Sequence, residues 1–368
     1  MAGKATAARS GDPVVAHLKA LRVAMFVIAV ILVGFTLWVL RRILEPFVLS
    51  LFLLIMIDGL ARAIDRRIPA YPRAAAMPTA IVSILAVFGL TLWLTIDNAT
   101  AFAAQAPVYT QRINALLVSG AGTLGLAVTP TVTDLIREIN PARYAGVVAG
   151  HLSHFAEAAV FMFIYLGFLL ASRRGFAAKA QGFFPDAAER QEAGKVFERV
   201  RHGVESYVWV QTVVGLIITA LSAALMLATG LSHVGFWCAI IFLSNYIPAI
   251  GAAIGVLFPA VFGLVEFTAL WPALILIGGL EAIHFGVSHV VQPRLQSRSL
   301  NLDPIVVLLA LAFWGAVWGV VGAFLSTPLA VVAMAIMAEF KSTRPLAVLL
   351  SRDGKPYADL EAESRPGK

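Results

Sequence analysis

The sequence predicts an all-α, polytopic integral membrane fold, and three observations lead to this prediction. Hydrophobic residues make up 60% of the 368 residues and charged residues only 13%, whereas soluble domains carry roughly half and about a quarter. The apolar residues occur in blocks of about 20, the length that a helix needs to cross about 30 Å of hydrocarbon. Short polar segments separate the blocks. We therefore expect about eight transmembrane helices whose outer surfaces contact the lipid bilayer.

The N-terminal unit, residues 1–97, holds three predicted spans. Residues 21–40 and 43–60 follow each other so closely that they form a helical hairpin, with Pro46 in the first turn of the second helix. A basic stretch then precedes the third span, at about 78–97.

Two water-exposed segments and a fourth span come next. Residues 98–153 carry Asn, Gln, Pro, Gly and scattered charges, and we interpret them as a small, mostly helical insert outside the membrane. The unit 154–206 combines a span at 155–172 with a linker at 175–206. Apolar residues recur at helical spacing in this linker, which predicts an amphipathic helix running into the fifth span.

The C-terminal core, residues 207–340, contains two apolar blocks that are longer than one span requires. The first block, 234–265, and the second, 304–338, are each interrupted by small, polar or helix-breaking residues. The interrupting residues are Ser244, Asn245, Pro248 and Gly251 in the first block and Gly319, Gly322, Ser326 and Pro328 in the second. Interruptions free backbone groups that hydrocarbon cannot satisfy, so they persist where protein buries them or a cavity adjoins them.

Two interrupted segments in matching places are typical of the binding site of a transporter. The alternative is a kink that serves packing only. The sequence also leaves open whether each block is one broken span or a re-entrant hairpin.

The positions of the basic residues predict an orientation. If each interrupted block crosses once and the N-terminus is cytoplasmic, 21 of the 28 Lys and Arg residues lie on the cytoplasmic side. This distribution explains the net charge of +7 without a nucleic-acid partner. We expect a protein of the bacterial plasma (inner) membrane with both termini, including the tail 341–368, in the cytoplasm.

The seventh span, about 268–290, concentrates ionisable groups at membrane depth. Glu281, His284 and Ser288 lie at i, i+3 and i+7, which predicts one polar helix face, and His289 lies beside it. Intramembrane ionisable residues are functional candidates by default. We predict that this face couples transport to protons. The alternative is that the same side chains hydrogen-bond a neighbouring helix and hold it in place.

Three stretches of the C-terminal core carry a family resemblance. They are Phe-Leu-Ser-Asn-Tyr-Ile-Pro-Ala-Ile-Gly at 242–251, Val-Gln-Pro-Arg-Leu-Gln-Ser-Arg-Ser-Leu-Asn-Leu-Asp-Pro at 291–304, and Gly-Val-Val-Gly-Ala-Phe-Leu-Ser-Thr-Pro-Leu at 319–329. In order and spacing they resemble the autoinducer-2 exporter family of bacterial membrane permeases. Two positions depart from the family pattern, which often has Asn at His289 and Glu at Gln292.

The resemblance implies export of a small molecule or ion without ATP, and it is compatible with a homo-oligomer. It gives weight to Pro293 and Arg294 in the predicted loop from 292 to 303, which also holds Arg298. A guanidinium fork suits an anionic or polyhydroxylated ligand. An equal alternative is that Arg294 pairs with Asp303 and fixes the turn between two helices.

Three functions therefore compete. The first is a secondary exporter of a small polar solute such as autoinducer-2, the second a sodium (cation)/proton antiporter built on Glu281 and His284, and the third a non-transporting scaffold whose insert binds a partner. Motifs for catalysis, phosphate binding and metal binding are absent from the sequence, and the lone Cys238 offers no disulfide. We expect no enzyme activity, no cofactor and no metal.

Overall fold

The computed structural model describes residues 13–68, 71–104, 110–115, 118, 141–184, 186–296 and 301–355. The regular structure within these ranges is helical, apart from an isolated bridge between Leu302 and Ser351. The helices are α1 (Pro13–Val39), α2 (Arg41–Arg67), α3 (Arg73–Ala104), α4 (Pro141–Ser172), α5 (Phe176–Phe183), α6 (Ala187–Thr229), α7 (Val234–Ser244), α8 (Ile250–Glu266), α9 (Leu270–Gly286), α10 (Gln292–Gln296), α11 (Pro304–Glu339) and α12 (Arg344–Leu350). The predicted all-α fold is confirmed.

Length and composition identify membrane-crossing helices in the part of the chain that the structure describes. Four stretches are long and apolar enough to cross a bilayer, namely Arg41–Arg66, Ala187–Thr229, Leu270–Leu295 and Pro304–Glu339. Large apolar side chains cover their outward faces and those of the shorter apolar helices. Such surfaces require lipid, so the protein is a multi-pass membrane protein as predicted.

The long helix α6 is the spine of the C-terminal core. Its 43 residues extend about 65 Å, so it crosses the bilayer and projects beyond it. The carboxylate of Asp186 accepts a hydrogen bond from the Ala188 amide at 3.1 Å and caps the start of the helix. Gly230 ends it in the left-handed conformation, with φ of 79°. The linker and the fifth span are therefore one continuous helix.

The first interrupted block is a helical hairpin made of α7 and α8. The two arms lie side by side, because the rings of Trp237 and Phe262 are 5.2 Å apart and the Ser232 amide donates to the Glu266 carboxylate at 3.0 Å. The arm α7 has 11 residues and extends about 16 Å, too short to cross the membrane alone. Of the two arrangements that the sequence left open, this block adopts the hairpin.

The second interrupted block also turns back on itself. Gly319 has φ of 62° and ψ of −139° within α11, and a Cβ on Gly322 would overlap the carbonyl oxygen of Trp314. In a straight helix Trp314 and Gly322 would be about 12 Å apart along the axis. The two arms also pack together away from the turn, because Val307 and Ala310 lie in one cluster with Ala330, Val331 and Met334. This block is a second hairpin.

The two hairpins enter the core from opposite ends of α6. The base of the first hairpin packs with Leu231 and Met226 at the C-terminal end of α6. The base of the second hairpin lies at the N-terminal end, where Arg199 pairs with Glu339 at 2.9 Å. Their tips therefore point toward each other along the same helix.

The helices α1, α2 and α3 all contact this core. Arg62 of α2 pairs with Glu205 of α6, and Asp58 pairs with Arg173 at the end of α4 at 3.1 Å. Most of the predicted insert 98–153 lies outside the described residues, although α3 extends to Ala104 and α4 begins at Pro141.

Candidate functional site

A row of polar side chains on α6 marks the level at which the hairpin tips lie. Tyr207 and Gln211 are one helical turn apart on one face and are 2% and 4% exposed. Thr212 follows on the adjacent face. Buried polar groups at membrane depth require partners, because hydrocarbon supplies none. The tip of the first hairpin supplies them.

The tip, residues 245–249, is held to α6 by four hydrogen bonds. The Asn245 side-chain amide donates to the carbonyl of Gln211, and the Gln211 side-chain amide donates to the carbonyl of Asn245, both at 3.0 Å. The Tyr207 hydroxyl donates to the Tyr246 carbonyl at 2.9 Å. The hydroxyl oxygens of Thr212 and Tyr246 are 2.7 Å apart and form a hydrogen bond. The backbone groups freed by the interruption are thus partly satisfied by side chains of α6.

The tip itself is a strained turn. Ala249 has φ of 62° and ψ of −44°, and the Ile250 amide donates to the Pro248 carbonyl at 2.7 Å. These values describe a γ-turn of the rare form, which costs on the order of 1–3 kcal/mol in a residue other than glycine. Gly251 follows, where a Cβ would overlap the carbonyl oxygen of Ser244. The surrounding contacts must therefore hold this turn in place.

The tip of the second hairpin meets the first tip at α6. The rings of Tyr246 and Phe324 are 5.5 Å apart, and Phe324 also packs edge-on against Phe52 of α2 at 5.7 Å. The Trp318 indole donates to the Leu37 carbonyl of α1 at 3.2 Å, which fixes the turn from the other side. The two interrupted segments therefore converge.

A third helix discontinuity lies at the same level. Residues Val287–Val291 form a π-helix between α9 and α10, and Pro293, which has no amide hydrogen, follows directly. The Gln292 side-chain amide approaches the Gln211 side-chain carbonyl at 3.4 Å. Single π-turns are frequent at functional sites. Gln211 thus contacts both the first tip and this segment.

The prediction of a loop from 292 to 303 is wrong for residues 292–296, which are helical. The helix continues to Gln296, because the π-turn accommodates Pro293 without ending it, so Pro293 and Arg294 are helical. Arg298 lies outside the described residues. Asp303 caps α11 by accepting from the Ile305 amide at 2.8 Å. It lies 16 residues from Gly319, about 24 Å along the first arm, and so it is remote from the tips.

The other predicted interruption residues lie at the tips or close to them. Ser244, whose hydroxyl donates to the Ile241 and Gly251 carbonyls at 3.2 and 3.3 Å, joins Asn245, Pro248 and Gly251 at the first tip. Gly319 and Gly322 form the second turn. Ser326 and Pro328 are buried in the following arm.

The predicted polar face of the seventh span is divided. His284 is 5% exposed and points into the core, whereas Glu281 and His289 are exposed and Ser288 is intermediate. His289 stacks on Phe285 at 4.2 Å, and its Nδ1 lies 3.0 Å from the Phe285 carbonyl. Of the four residues, only His284 is buried against other helices.

Several residues at the tips were not among the predicted site residues, although Tyr207, Gln211 and Gln292 lie at positions that the family resemblance marks. Tyr207, Gln211, Thr212, Tyr246 and Gln292 contribute most of the polar contacts at the tips. The available signal was the spacing of Tyr207 and Gln211, two polar residues one turn apart at the start of an apolar span. These side chains are neutral hydroxyls and amides, which suit a polar uncharged solute better than an anion.

Comparison with known proteins supplies independent evidence. The profile of the AI-2E family transporters matches residues 25–342. The AI-2 transport protein TqsA of Escherichia coli (strain K12) is 25% identical over 315 residues, which cover 84% of this chain and 90% of that protein. A candidate transport protein of Haemophilus influenzae is 25% identical over 319 residues, with the same coverage. The candidate transport protein YhhT of Escherichia coli (strain K12) is 32% identical over 166 residues, 44% of this chain and 46% of that protein.

Proposed function

Because the chain belongs to the AI-2E transporter family, we propose that it is a secondary exporter whose solute site is the meeting point of the two hairpin tips at α6. The observation that carries the proposal is the contact between Tyr246 and Phe324, which joins the two interrupted segments. Convergent broken helices at membrane depth are the usual place for a transporter's site. A scaffold would have no need of them.

The opposed entry of the hairpins supports alternating access. Each tip is the far end of a hairpin whose base lies at one end of α6. Moving one hairpin away from the spine would open the site toward one side of the membrane while the other hairpin keeps it closed. A secondary transporter needs this pair of states.

The chemistry of the tips favours a small polar solute. Asn245, Gln211 and Gln292 offer both donors and acceptors, and Thr212 and Tyr246 offer hydroxyls. TqsA is named as a transporter of AI-2, and we propose this signal, or a solute of the same polar and uncharged kind, as the cargo.

The proposed location is the bacterial plasma membrane, with both termini in the cytoplasm. If each hairpin enters and leaves the membrane on the same side, the C-terminus remains in the cytoplasm, as the sequence predicted. They move the segment 291–303, with Arg294 and Arg298, to the cytoplasmic side as well. The positive-inside rule is then followed by 23 of the 28 Lys and Arg residues. We also retain a homo-oligomer as a proposal.

A second candidate function, cation/proton antiport, is favoured by one observation. His284 is a buried ionisable side chain in the middle of a membrane helix, with Glu281 one turn away. Sodium-dependent dissipation of a pH gradient in proteoliposomes, abolished by Glu281→Gln, would support this function over solute export.

The exporter is tested by efflux of AI-2 from proteoliposomes loaded with it. Gln211→Ala removes the donor to the Asn245 carbonyl and the acceptor of the Gln292 amide. Buried polar groups that lose these partners cost about 1–3 kcal/mol, so we expect efflux to fall about tenfold. The control is Thr36→Val, because the exposed Thr36 hydroxyl donates to the Leu32 carbonyl of its own helix at 2.8 Å and, among the described residues, has no hydrogen bond to another helix. Efflux within twofold of wild type for both variants would contradict the proposal.

A further inference from the structure

The buried face of α9 carries a histidine that the solute site does not use. His284 is 5% exposed, and its Nε2 has no hydrogen-bond partner. The imidazole lies directly on the first hairpin, since a Cβ on Gly255 of α8 would be 2.9 Å from Nε2 and 3.0 Å from Cε1. The hairpin arm therefore occupies the space that a partner for Nε2 would need.

This contact discriminates between the two charge states of the ring. A neutral imidazole can bury one nitrogen against a glycine at the cost of a single missing hydrogen bond. An imidazolium has two N–H donors and a full charge, and burying it unpaired costs far more. The docked hairpin thus accepts only the neutral ring.

The surroundings provide little compensation while the hairpin is docked. On α6 no titratable residue occurs between Thr212 and Thr229, and α7 has only Cys238. On α8 the only titratable residue is Glu266, which is bonded to the Ser232 amide at the hairpin base. On α9 Glu281 is exposed, although its charge acts on His284.

The remaining titratable residues nearby are the exposed His289 in the π-turn and Tyr246 at the tip.

The alignment of α6 with α9 places further polar groups near the depth of His284. The contact between Leu225 and Gly279 and the bond between Gln211 and Gln292 show that α6 and α9 run antiparallel. This pairing sets His284 level with Thr219 and close to the level of Ser222.

The hydroxyl oxygens of Thr219 and Ser222 are buried and have no hydrogen-bond partner. Together with His284 Nε2, three polar atoms without partners therefore lie within about one helical turn of the same depth in a largely apolar core. Such groups are usually completed by water when space allows.

We propose that His284 is a proton-binding site that is closed by the docking of α8 through Gly255. Protonation requires that the hairpin arm withdraw, so that water and the hydroxyls at this level can solvate the charged ring. Proton uptake and movement of the first hairpin are then one event. The place of this event in a transport cycle rests on the proposed function, whereas the proton-linked movement does not.

The linkage has a quantitative signature. An imidazole in water takes up a proton near pH 6.5, and the docked state binds none. The equilibrium constant for opening of α8 should then rise by about tenfold for each pH unit below about 6.5 and level off above it. Protection from hydrogen exchange measures this constant directly.

The experiment is hydrogen–deuterium exchange of residues 250–266 in lipid nanodiscs between pH 5 and pH 8, corrected for the intrinsic exchange rate. We expect the predicted slope in wild type and no slope in His284→Gln. The matched control is His202→Gln, an exposed histidine at the other end of α6, which should keep the wild-type slope. A flat wild-type profile, or a slope that survives in His284→Gln, would overturn the proposal.

A double-mutant cycle tests the contact without reference to pH. Gly255→Ala should increase opening at least tenfold in wild type at pH 8, because its Cβ meets the imidazole, and much less in the His284→Ala background. An equal effect in both backgrounds would refute the docking contact. If the protein exports AI-2 normally but its hydrogen exchange does not depend on pH, the proton-linked movement is wrong and the proposed function stands. If exchange depends on pH but the protein does not export AI-2, only the proposed function is wrong.

Discussion

Asn245 and Gln211 exchange hydrogen bonds between side chain and main chain in both directions, each at 3.0 Å. The pair joins residues 34 positions apart and fixes the first hairpin tip to α6. The Gln211 amide satisfies the Asn245 carbonyl at the break, whereas the Asn245 amide adds a second bond to a carbonyl within α6. Gln211 and Asn245 therefore supply two of the four hydrogen bonds that hold the tip to α6.

This reciprocal pair should be energetically coupled. We expect Gln211→Ala to lower the stability of the core by about 1–3 kcal/mol, because it leaves the buried Asn245 carbonyl unpaired. Asn245→Ala should cost about 0.5–1.5 kcal/mol, because it removes one hydrogen bond from a carbonyl that keeps its helical partner. The double variant should cost less than the sum by about 0.5–3 kcal/mol. Thermal unfolding of the purified protein in detergent measures all three variants. Strictly additive costs would show that the two bonds hold the tip independently and would contradict the coupling.

Gly251 should be intolerant of a side chain. Its Cβ would overlap the Ser244 carbonyl, so Gly251→Ala must displace the tip and should destabilise the core by about 1–3 kcal/mol. The matched control is Gly278→Ala in α9, where no atom lies within 4 Å of the new Cβ. Ala is the better helix former, so the control should be neutral or stabilising by up to about 1 kcal/mol. Equal unfolding temperatures for the two variants would contradict the close approach.

The ion pairs around Glu205 should give a stability that depends on salt. Glu205 pairs with Arg62 of α2 and lies 3.6 Å from Arg201 on its own helix. Glu205→Gln should lower stability by about 0.2–1 kcal/mol per pair, and the loss should shrink as salt is raised. Glu198→Gln, whose carboxylate is 57% exposed, serves as the control and should change little. Unfolding temperatures at low and high sodium chloride test this, and a salt-independent loss would argue against it.

A clasp between residues 301–303 and 350–355 should loosen in acid. The hydrogen bond from the Asn301 amide, at 2.5 Å, together with that from the Lys355 backbone amide, holds the pKa of the Asp353 carboxyl below its usual value of 3.8. The pKa of Asp353 is lower in the folded protein than in the unfolded chain. The carboxylate therefore stabilises the clasp above pH 3.8, and this contribution is lost as the pH falls through the lowered pKa.

Asn301→Ala should return the pKa of Asp353 toward 3.8. Carbon NMR of protein labelled at aspartate follows this titration, with Asp186, which caps α6, as the internal reference. An Asp353 titration that is identical in wild type and Asn301→Ala would rule out the clasp as its cause.

The sequence predicted the fold class and the broken segments because these depend on local chemistry. Blocks of about 20 apolar residues require lipid. Breaks are expected near Pro248, which has no amide hydrogen, and near Gly319, which tolerates positive φ. Whether each block crosses or turns back was not predictable, because the reversal is stabilised by contacts with distant residues. Trp318 bonding to Leu37, 281 positions away, is one such contact.

The polar face of the seventh span shows a different limit. Residues at i and i+3 differ by about 60° around a helix, which is enough for His284 to be buried while Glu281 is exposed. The π-turn at 287–291 was missed because its residues read as the end of a span and the start of a loop. Both errors arise where the packing of neighbours decides between orientations that the spacing allows.

Convergence of the two hairpin tips at one transport site can be tested directly by a crosslink between them. The decisive measurement places cysteines at Tyr246 and Phe324 in a Cys238→Ser background and joins them with a short bifunctional thiol reagent in proteoliposomes. We predict efficient crosslinking that stops AI-2 efflux, and recovery of efflux when the crosslink is reduced. A crosslinked protein that exports at the full rate, or a pair that does not crosslink although each cysteine reacts alone, would contradict the account.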